Sequence, residues 1–234
     1  MNKIEFQVIR RPRRRTASIS VKPDGTVRVV VPASLSDDQV TELVERKSTW
    51  IQNKIAHFEA ICNNEKDKEY VSGESVFYLG RSYRMEVVDE DDSSDAVKLM
   101  NGRFIVQVHP GLDEGNRKFL IRERFSGWYQ QKAEVRLREK VVRFAKQMNV
   151  APRSVGVKGY TSRWGSCHSD GRLYFNWRII MAPHSVIDYV VVHELAHLVH
   201  GNHSKKFWKL VESILPDYTE RKAWLNLKGR GLRV

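Results

Sequence analysis

Residues 186–203 read VIDYVVVHELAHLVHGNH and contain an HExxH motif, in which His193 and His197 are four residues apart. On an α-helix, side chains four residues apart lie on the same face, so both imidazoles can bind one metal ion. Glu194 follows the first histidine directly, where its carboxylate can face a metal-bound water and act as a general base. The motif therefore predicts a metal-dependent hydrolase.

The residues before the motif predict a buried helix. Ser185 followed by Asp188 resembles a capping box and predicts a helix that begins near Val186. The next two turns are apolar on nearly every side, which is typical of a helix inside the core. Unpaired buried polar groups cost on the order of several kcal/mol, so the polar side chains of the motif need partners. A metal ion would supply them.

The third metal ligand has two candidates. A catalytic zinc ion commonly takes three protein ligands and keeps one position for water. His200 would remain on the helix, near the same face as His197, whereas His203 follows Gly201 and Asn202, which can end the helix and turn the chain back. A ligand from beyond the helix closes a tetrahedral site more readily. His203 is therefore the predicted third ligand, and Zn²⁺ is the predicted cofactor.

Residues 155–180 predict a β-hairpin just before the motif, with strands at 155–166 and 172–180. An exposed edge strand there could bind an extended peptide across the metal ion. Its aromatic residues could equally cover the helix, because alternate residues on a strand face opposite sides. The candidates for substrate binding are Arg163, Trp164, Gly165, Ser166 and Asn202, and those for an oxyanion donor are Arg163, Asn202 and His200.

The remaining sequence predicts strands first and a long helix later. Alternating apolar residues predict two strands over 4–31, and a helix is expected from about 36 to 61. A second β segment is expected over 70–108, followed by one long helix over 114–148. The N-terminal region, residues 1–110, is therefore expected to be β-rich with one helix.

The composition is that of a folded protein without a membrane span. The chain has 234 residues, of which 41% are hydrophobic, so it can bury a sizeable core. It contains no run of about 18 apolar residues, and its N-terminus lacks the apolar segment of a secretory signal. The two cysteines, Cys62 and Cys167, form no disulfide framework. A cytoplasmic location, with no membrane contact, is therefore expected.

The net charge of +12 leaves the role of the surface open. A basic surface could contact a nucleic acid or another polyanion. However, no nucleic-acid-binding module is recognisable, and aromatic residues do not alternate with the basic ones. A solvated cationic surface is the favoured interpretation, and the acidic run at 89–95 is expected to be an exposed loop.

Several segments together resemble the YgjP-like metallopeptidases, a zincin family. They are RWGSC at 163–167, NWRIIMAP at 176–183 and DYVVVHELAHLVHGNHSKKFW at 188–208. The similarity extends to residues 10–32 and 78–87, so it covers nearly the whole chain. The motif is also similar to that of SprT-like proteases, which act on proteins crosslinked to DNA.

This resemblance implies an α+β fold with a zincin-like catalytic region, predicted over residues 111–234. In this region the HExxH helix is expected to pack against a small antiparallel sheet. The resemblance also implies that His193, His197 and His203 bind zinc and that Glu194 is the catalytic base.

The predicted function is hydrolysis of peptide bonds in a peptide or protein substrate, through a zinc-activated water with Glu194 as general base. Two alternatives stay open. A metal-dependent hydrolase of nucleoside triphosphates or another polyanion would use the basic surface to attract its substrate. A binding module with a structural zinc would need a fourth protein ligand, for which His200 and Cys167 are candidates.

Overall fold

The structure, a computed structural model, describes most of the chain as two compact units, Met1–Asp67 and Lys68–Val234. Residues 91–95 of the expected acidic loop lie outside the described residues. Within the described part of the chain, no helix combines the length and apolar character needed to cross a membrane. The described residues are 4–22, 25–62, 68–90 and 96–233.

The first unit is a three-stranded sheet with two helices. The strand order is β1-β3-β2, with β1 parallel and β2 antiparallel to the central strand. Ser36 caps the first helix through a capping box with Gln39. The elements are β1 (Phe6–Arg11), β2 (Ser18–Val21), β3 (Val27–Pro32), α1 (Asp37–Arg46) and α2 (Ser48–Cys62).

This unit differs from its prediction in two respects. Three strands form over residues 4–31, where the alternating pattern predicts two. The single predicted helix divides at Lys47, whose backbone N–H donates to the carbonyl oxygens of Val44 and Glu45 and so leaves the α-helical pattern. Both helices and the sheet still share one apolar core, formed by Val27, Val29, Val31, Val40, Val44 and Ile51.

The second unit begins with a four-stranded mixed sheet and a long helix. Two hairpins form the sheet, in the order β4-β5-β7-β6, and their inner strands β5 and β7 run parallel. The helix α3 has the bounds that its pattern predicts. These elements are β4 (Ser75–Tyr78), β5 (Arg81–Asp89), β6 (Val97–Met100), β7 (Arg103–Val108) and α3 (Glu114–Met148).

The second unit starts much earlier than the expected boundary near residue 110, because the four-stranded sheet shares its core with α3. The ring centroid of Phe104 on β7 lies 5.4 Å from that of Phe125 and 4.9 Å from that of Trp128, both on α3. Tyr129, buried in the same helix, donates a hydrogen bond of 2.6 Å to the carbonyl oxygen of Phe77. The sheet therefore belongs with the C-terminal elements.

A second, smaller sheet follows α3, and three helices complete the unit. Its strand order is β8-β10-β9, with β10 parallel to β8 and antiparallel to β9. A 3-10 turn, Trp177–Met181, joins β10 to the helix that carries the HExxH motif. The elements are β8 (Ser154–Lys158), β9 (Gly165–Cys167), β10 (Arg172–Asn176), α4 (His184–Ala196), α5 (Lys205–Ile214) and α6 (Tyr218–Lys228).

The predicted hairpin over 155–180 is wrong in both strands: the first is interrupted, and the second ends at Asn176 instead of continuing to residue 180. The expected antiparallel sheet is a mixed one. Residues 159–164 leave the sheet and separate β8 from β9. The reason is the side chain of Asn176, which is 3% exposed and donates hydrogen bonds to the carbonyl oxygens of Tyr160 and Arg163. These carbonyl groups bond to a side chain instead of a neighbouring strand. The α+β class itself is confirmed.

Helix α4 also begins differently from its prediction. It starts at His184, directly after Pro183, and no side chain caps it. Asp188 accepts instead from Lys140 of α3 at 2.5 Å and pairs with Arg143 at 3.2 Å, so it is not available to a capping box with Ser185. These ion pairs fasten α4 to α3.

The start of α4 is positioned by the turn between β4 and β5. The backbone N–H of Gly80 donates to the carbonyl oxygen of Met181 at 3.0 Å, and that of Leu79 donates to Ile180 at 2.9 Å. Gly80 has φ +80°, and a Cβ atom added there would lie 2.7 Å from Cα of Pro183. The turn can therefore approach the helix only because residue 80 is glycine.

We expect Gly80→Ala to reduce the free energy of unfolding more than Gly102→Ala does. Gly102 also has a left-handed φ, +75°, but nothing lies within 4 Å of an added Cβ. Gly102→Ala should therefore cost only the backbone strain, about 1–2 kcal/mol, and Gly80→Ala a further 1–3 kcal/mol, roughly the cost of overpacking. Urea denaturation of both variants measures the difference. Equal losses would show that the contact with Pro183 is unimportant.

Candidate metal centre

The HExxH residues lie at the C-terminal end of α4. His193 and Glu194 are inside the helix, and His197 follows its last residue, Ala196, with φ −68° and ψ −19°. The helix ends here, so His200 does not lie on it as the sequence predicts. The backbone carbonyl of His200 is instead turned toward Nδ1 of His197, at 3.2 Å.

The structure brings His193, His197 and His203 together. One ring nitrogen from each lies within 4.8 Å of the other two, and the Nε2 atoms of His193 and His203 are 3.0 Å apart. His203 reaches the site from the loop between α4 and α5. Among the described residues, this group of potential metal ligands contains no fourth histidine, cysteine or carboxylate.

Burial favours the neutral form of the histidines on α4. It lowers the pKa of His193 to about 3, and the nearby imidazoles of His197 and His203 add to the shift. Burial also lowers the pKa of His197. A neutral imidazole has a free lone pair, which a metal ion requires.

The residues present fit a metal ion in three ways. A tetrahedral zinc ion with Zn–N bonds of about 2.0–2.1 Å would hold its nitrogen ligands roughly 3.3 Å apart, close to the observed separation of His193 and His203. The carbonyl of His200 is placed to accept a hydrogen bond from Nδ1–H of His197, which leaves Nε2 unprotonated for a metal. Imidazole nitrogen is also a ligand that suits zinc.

Glu194 is buried beside the histidines and packs against strand β9. Its side chain is only 6% exposed. Burial raises its pKa to about 7, and the nearby guanidinium of Arg163 opposes the shift. A Cβ atom at Gly165 would lie 2.6 Å from both Cγ and Oε1 of Glu194, so β9 can cover this carboxyl only with glycine at that position.

Comparison with known proteins identifies the family of the chain. The family model described as the YgjP-like metallopeptidase domain matches residues 15–228. The chain belongs to the YgjP-like metallopeptidase family. No curated protein matches significantly. Among solved structures, the metallopeptidase zymogen of Pyrococcus abyssi abylysin is 18% identical, and the match covers 39% of this chain and 95% of that chain with a TM-score of 0.36.

The structure separates the five substrate-binding candidates of this YgjP-like metallopeptidase. Arg163 and Gly165 lie near Glu194. Ser166 alternates with Gly165 along β9 and faces the opposite side, where its hydroxyl lies 2.8 Å from that of Tyr160. Among the described residues, neither the ring of Trp164 nor the side chain of Asn202 makes a ring contact or a hydrogen bond with the three histidines.

Trp164 is instead a packing residue. Its ring lies 3.0 Å from the position that a Cβ atom of Gly229 would occupy, so it packs against the C-terminal segment after α6. Asn202 is exposed in the loop between α4 and α5 and makes no hydrogen bond within the described residues. Neither is brought into the site by this structure.

Two buried residues of the candidate site are not among the predicted site residues. Phe207 is fully buried beneath the histidines, with its ring centroid 4.6–5.0 Å from those of His193, His197 and His203. Tyr189, one turn before His193, is buried with its ring centroid 5.8 Å from that of His193. Burial raises its pKa to about 12, and Glu194 contributes to the shift. Helical periodicity predicts only that such residues belong to the core.

We expect His203→Ala, but not His200→Ala, to abolish the stabilisation of the protein by zinc. A metal that binds only the folded state raises its stability by RT ln(1 + [L]/Kd), about 2.7 kcal/mol at a concentration 100 times Kd. His200→Ala is a matched control, because it removes a neighbouring imidazole and leaves the backbone carbonyl that faces His197. Thermal unfolding with zinc and with a chelator measures the effect. A zinc-dependent Tm in His203→Ala would exclude His203 as the third ligand.

The contact between Gly165 and Glu194 predicts a coupling between the two positions. Gly165→Ala should lower the free energy of unfolding by about 1–3 kcal/mol, the usual cost of overpacking. The same substitution should cost less in a Glu194→Ala background, because the atoms that it contacts are then absent. A double-mutant cycle by urea denaturation gives the coupling energy. Additive effects would show that there is no steric coupling between positions 165 and 194.

Proposed function

We propose that this protein is a zinc-dependent metallopeptidase in which His193, His197 and His203 bind the metal and Glu194 is the general base. The observation that carries the proposal is the convergence of three imidazole nitrogens beside a buried carboxyl that is not part of the ligand group. Three protein ligands leave a coordination position for chemistry.

The positions of these residues assign a role to each of them. When bound, zinc lowers the pKa of a water molecule to about 7 and polarises a carbonyl oxygen. Glu194 would accept the proton of the attacking water and deliver it to the leaving amine. Gly165 and the apolar residues around α4 keep this carboxyl out of bulk water. Arg163, close enough to act on Glu194, is the candidate side chain that would stabilise the oxyanion.

The outer edge of β9 supports a peptide as the substrate. The carbonyl oxygen of Trp164 and the N–H of His168 bond to β10, at 2.8 and 2.9 Å. In an antiparallel pair such inward groups alternate along the strand, so the backbone groups of Gly165 and Cys167 point to the free edge. An extended peptide that pairs with this edge would pass directly beside Glu194.

The alternative of a structural zinc module receives less support. A structural site is closed by four protein ligands, and His200 and Cys167 were the candidates for the fourth. Within the described residues, neither side chain belongs to the ligand group. A buried carboxyl beside the histidines would also have no purpose in a closed site.

The first experiment compares the zinc-loaded wild type with Glu194→Gln on a diverse peptide mixture, with mass spectrometry of the products. We expect wild-type cleavage and a rate lower by about 10²–10⁴-fold in the variant, the usual contribution of a general base. Both proteins should contain one zinc ion per chain, so the loss cannot be ascribed to the metal.

Two outcomes would contradict the proposal. Equal cleavage by both proteins would exclude Glu194 as the base. If neither protein cleaves any peptide while both retain zinc, the peptidase function fails. Release of phosphate from nucleoside triphosphates that depends on Glu194 would then favour the alternative hydrolase.

A further inference from the structure

His203 is the least constrained of the three proposed ligands. His193 and His197 are held by α4, whereas His203 lies on the exposed loop before α5. Within the described residues, the only hydrogen bond to its ring is the contact of Nε2 with Nε2 of His193. An imidazole with two rotatable side-chain bonds and no other polar anchor would lose entropy when it binds a metal. Apolar contacts must therefore fix the orientation of the His203 ring.

Trp208 provides a flat surface for this ring. The centroids of His203 and Trp208 are 5.5 Å apart, and their planes differ by 22°, so the two rings are stacked. Trp208 also lies 5.8 Å from the ring of His193. It is in the first turn of α5, which Ser204 caps through the backbone N–H of Phe207. The start of this helix therefore fixes the backbone from which Trp208 projects.

Trp208 is held in turn by α6. The ring of Tyr218 stacks on Trp208, with centroids 5.3 Å apart and planes that differ by 17°. The ammonium nitrogen of Lys222 lies 4.1 Å from the centre of a Trp208 ring, which is a cation–π contact. Tyr218 and Lys222 are four residues apart and share one face of the helix. A continuous set of contacts thus joins α6 to His203.

We propose that Trp208 is a positioning residue that holds the imidazole of His203 in its metal-binding orientation, with Tyr218 and Lys222 supporting it. The proposal rests on the metal site proposed above. Phe207 has a different role: it is fully buried and contacts all three histidines by its edge or at a tilt. Trp208 is partly exposed and stacks on His203, so its removal should affect this ligand more than the core.

The test measures the Kd for zinc alone, by competition with a chromogenic chelator. Partners that orient metal ligands typically contribute about 10–100-fold in affinity. We expect Trp208→Ala to weaken zinc binding by about 10-fold or more. Trp208→Phe keeps a flat ring and should retain most of the wild-type affinity. Tyr218→Ala should show a smaller loss. Trp224→Ala is the control, because Trp224 also packs against the core but, in the described part of the chain, makes no ring contact with the histidines.

A second measurement separates positioning from general destabilisation. Urea denaturation of the metal-free proteins gives the free energy of unfolding that each alanine substitution costs, and Trp208→Ala should weaken zinc binding more than Trp224→Ala does at a comparable cost. An unchanged Kd in Trp208→Ala, or a loss of zinc affinity that follows the loss of stability alone, would overturn the inference. If Trp208→Ala fails to fold, Tyr218→Ala decides the question by the same two measurements. If the wild type itself binds no zinc, the metal site and this inference both fail.

Discussion

The burial of α4 is the constraint on which the metal centre depends. Apolar residues surround this helix on nearly all sides, and the ion pair of Asp188 with Lys140 joins it to α3. Since the interior is closely packed, a helix held in this way has little freedom to shift. His193 and Glu194 therefore stand at defined positions before any metal binds. The cost of burying their polar groups is offset only if they have a partner, which is why the fold and the chemistry are coupled.

The centre is assembled by three segments that reach α4 from different directions. The loop before α5 contributes His203, the first turn of α5 places aromatic rings beneath and beside the imidazoles, and β9 covers the carboxyl of Glu194. Two of these approaches depend on a particular residue: Ser204 caps α5, and Gly165 lets β9 lie close to Glu194. The family match over residues 15–228 includes all of these elements.

Local patterns explain what the sequence predicts well. The spacing of the HExxH motif places two histidines together on any helix, and the period of α3 defines its bounds. The failures are non-local. The first hairpin strand is interrupted because the side chain of Asn176, which lies 16 and 13 residues further along the chain, binds the carbonyl groups of residues 160 and 163. The stacking of Tyr218 on Trp208 depends on where α6 lies, which periodicity does not reveal. The sequence around a residue does not indicate which residue of another element it contacts in the fold.

The apolar face of α3 limits how far the protein can be shortened. This helix has 35 residues and spans about 52 Å. Phe125 and Trp128 on it are covered by Phe104 of the four-stranded sheet. A catalytic fragment that begins near residue 111 would contain every proposed metal ligand, yet it would expose these aromatic rings to water. Contiguous apolar surface of this kind promotes aggregation. Such a fragment would be insoluble, although it would contain all the proposed metal-binding and catalytic residues.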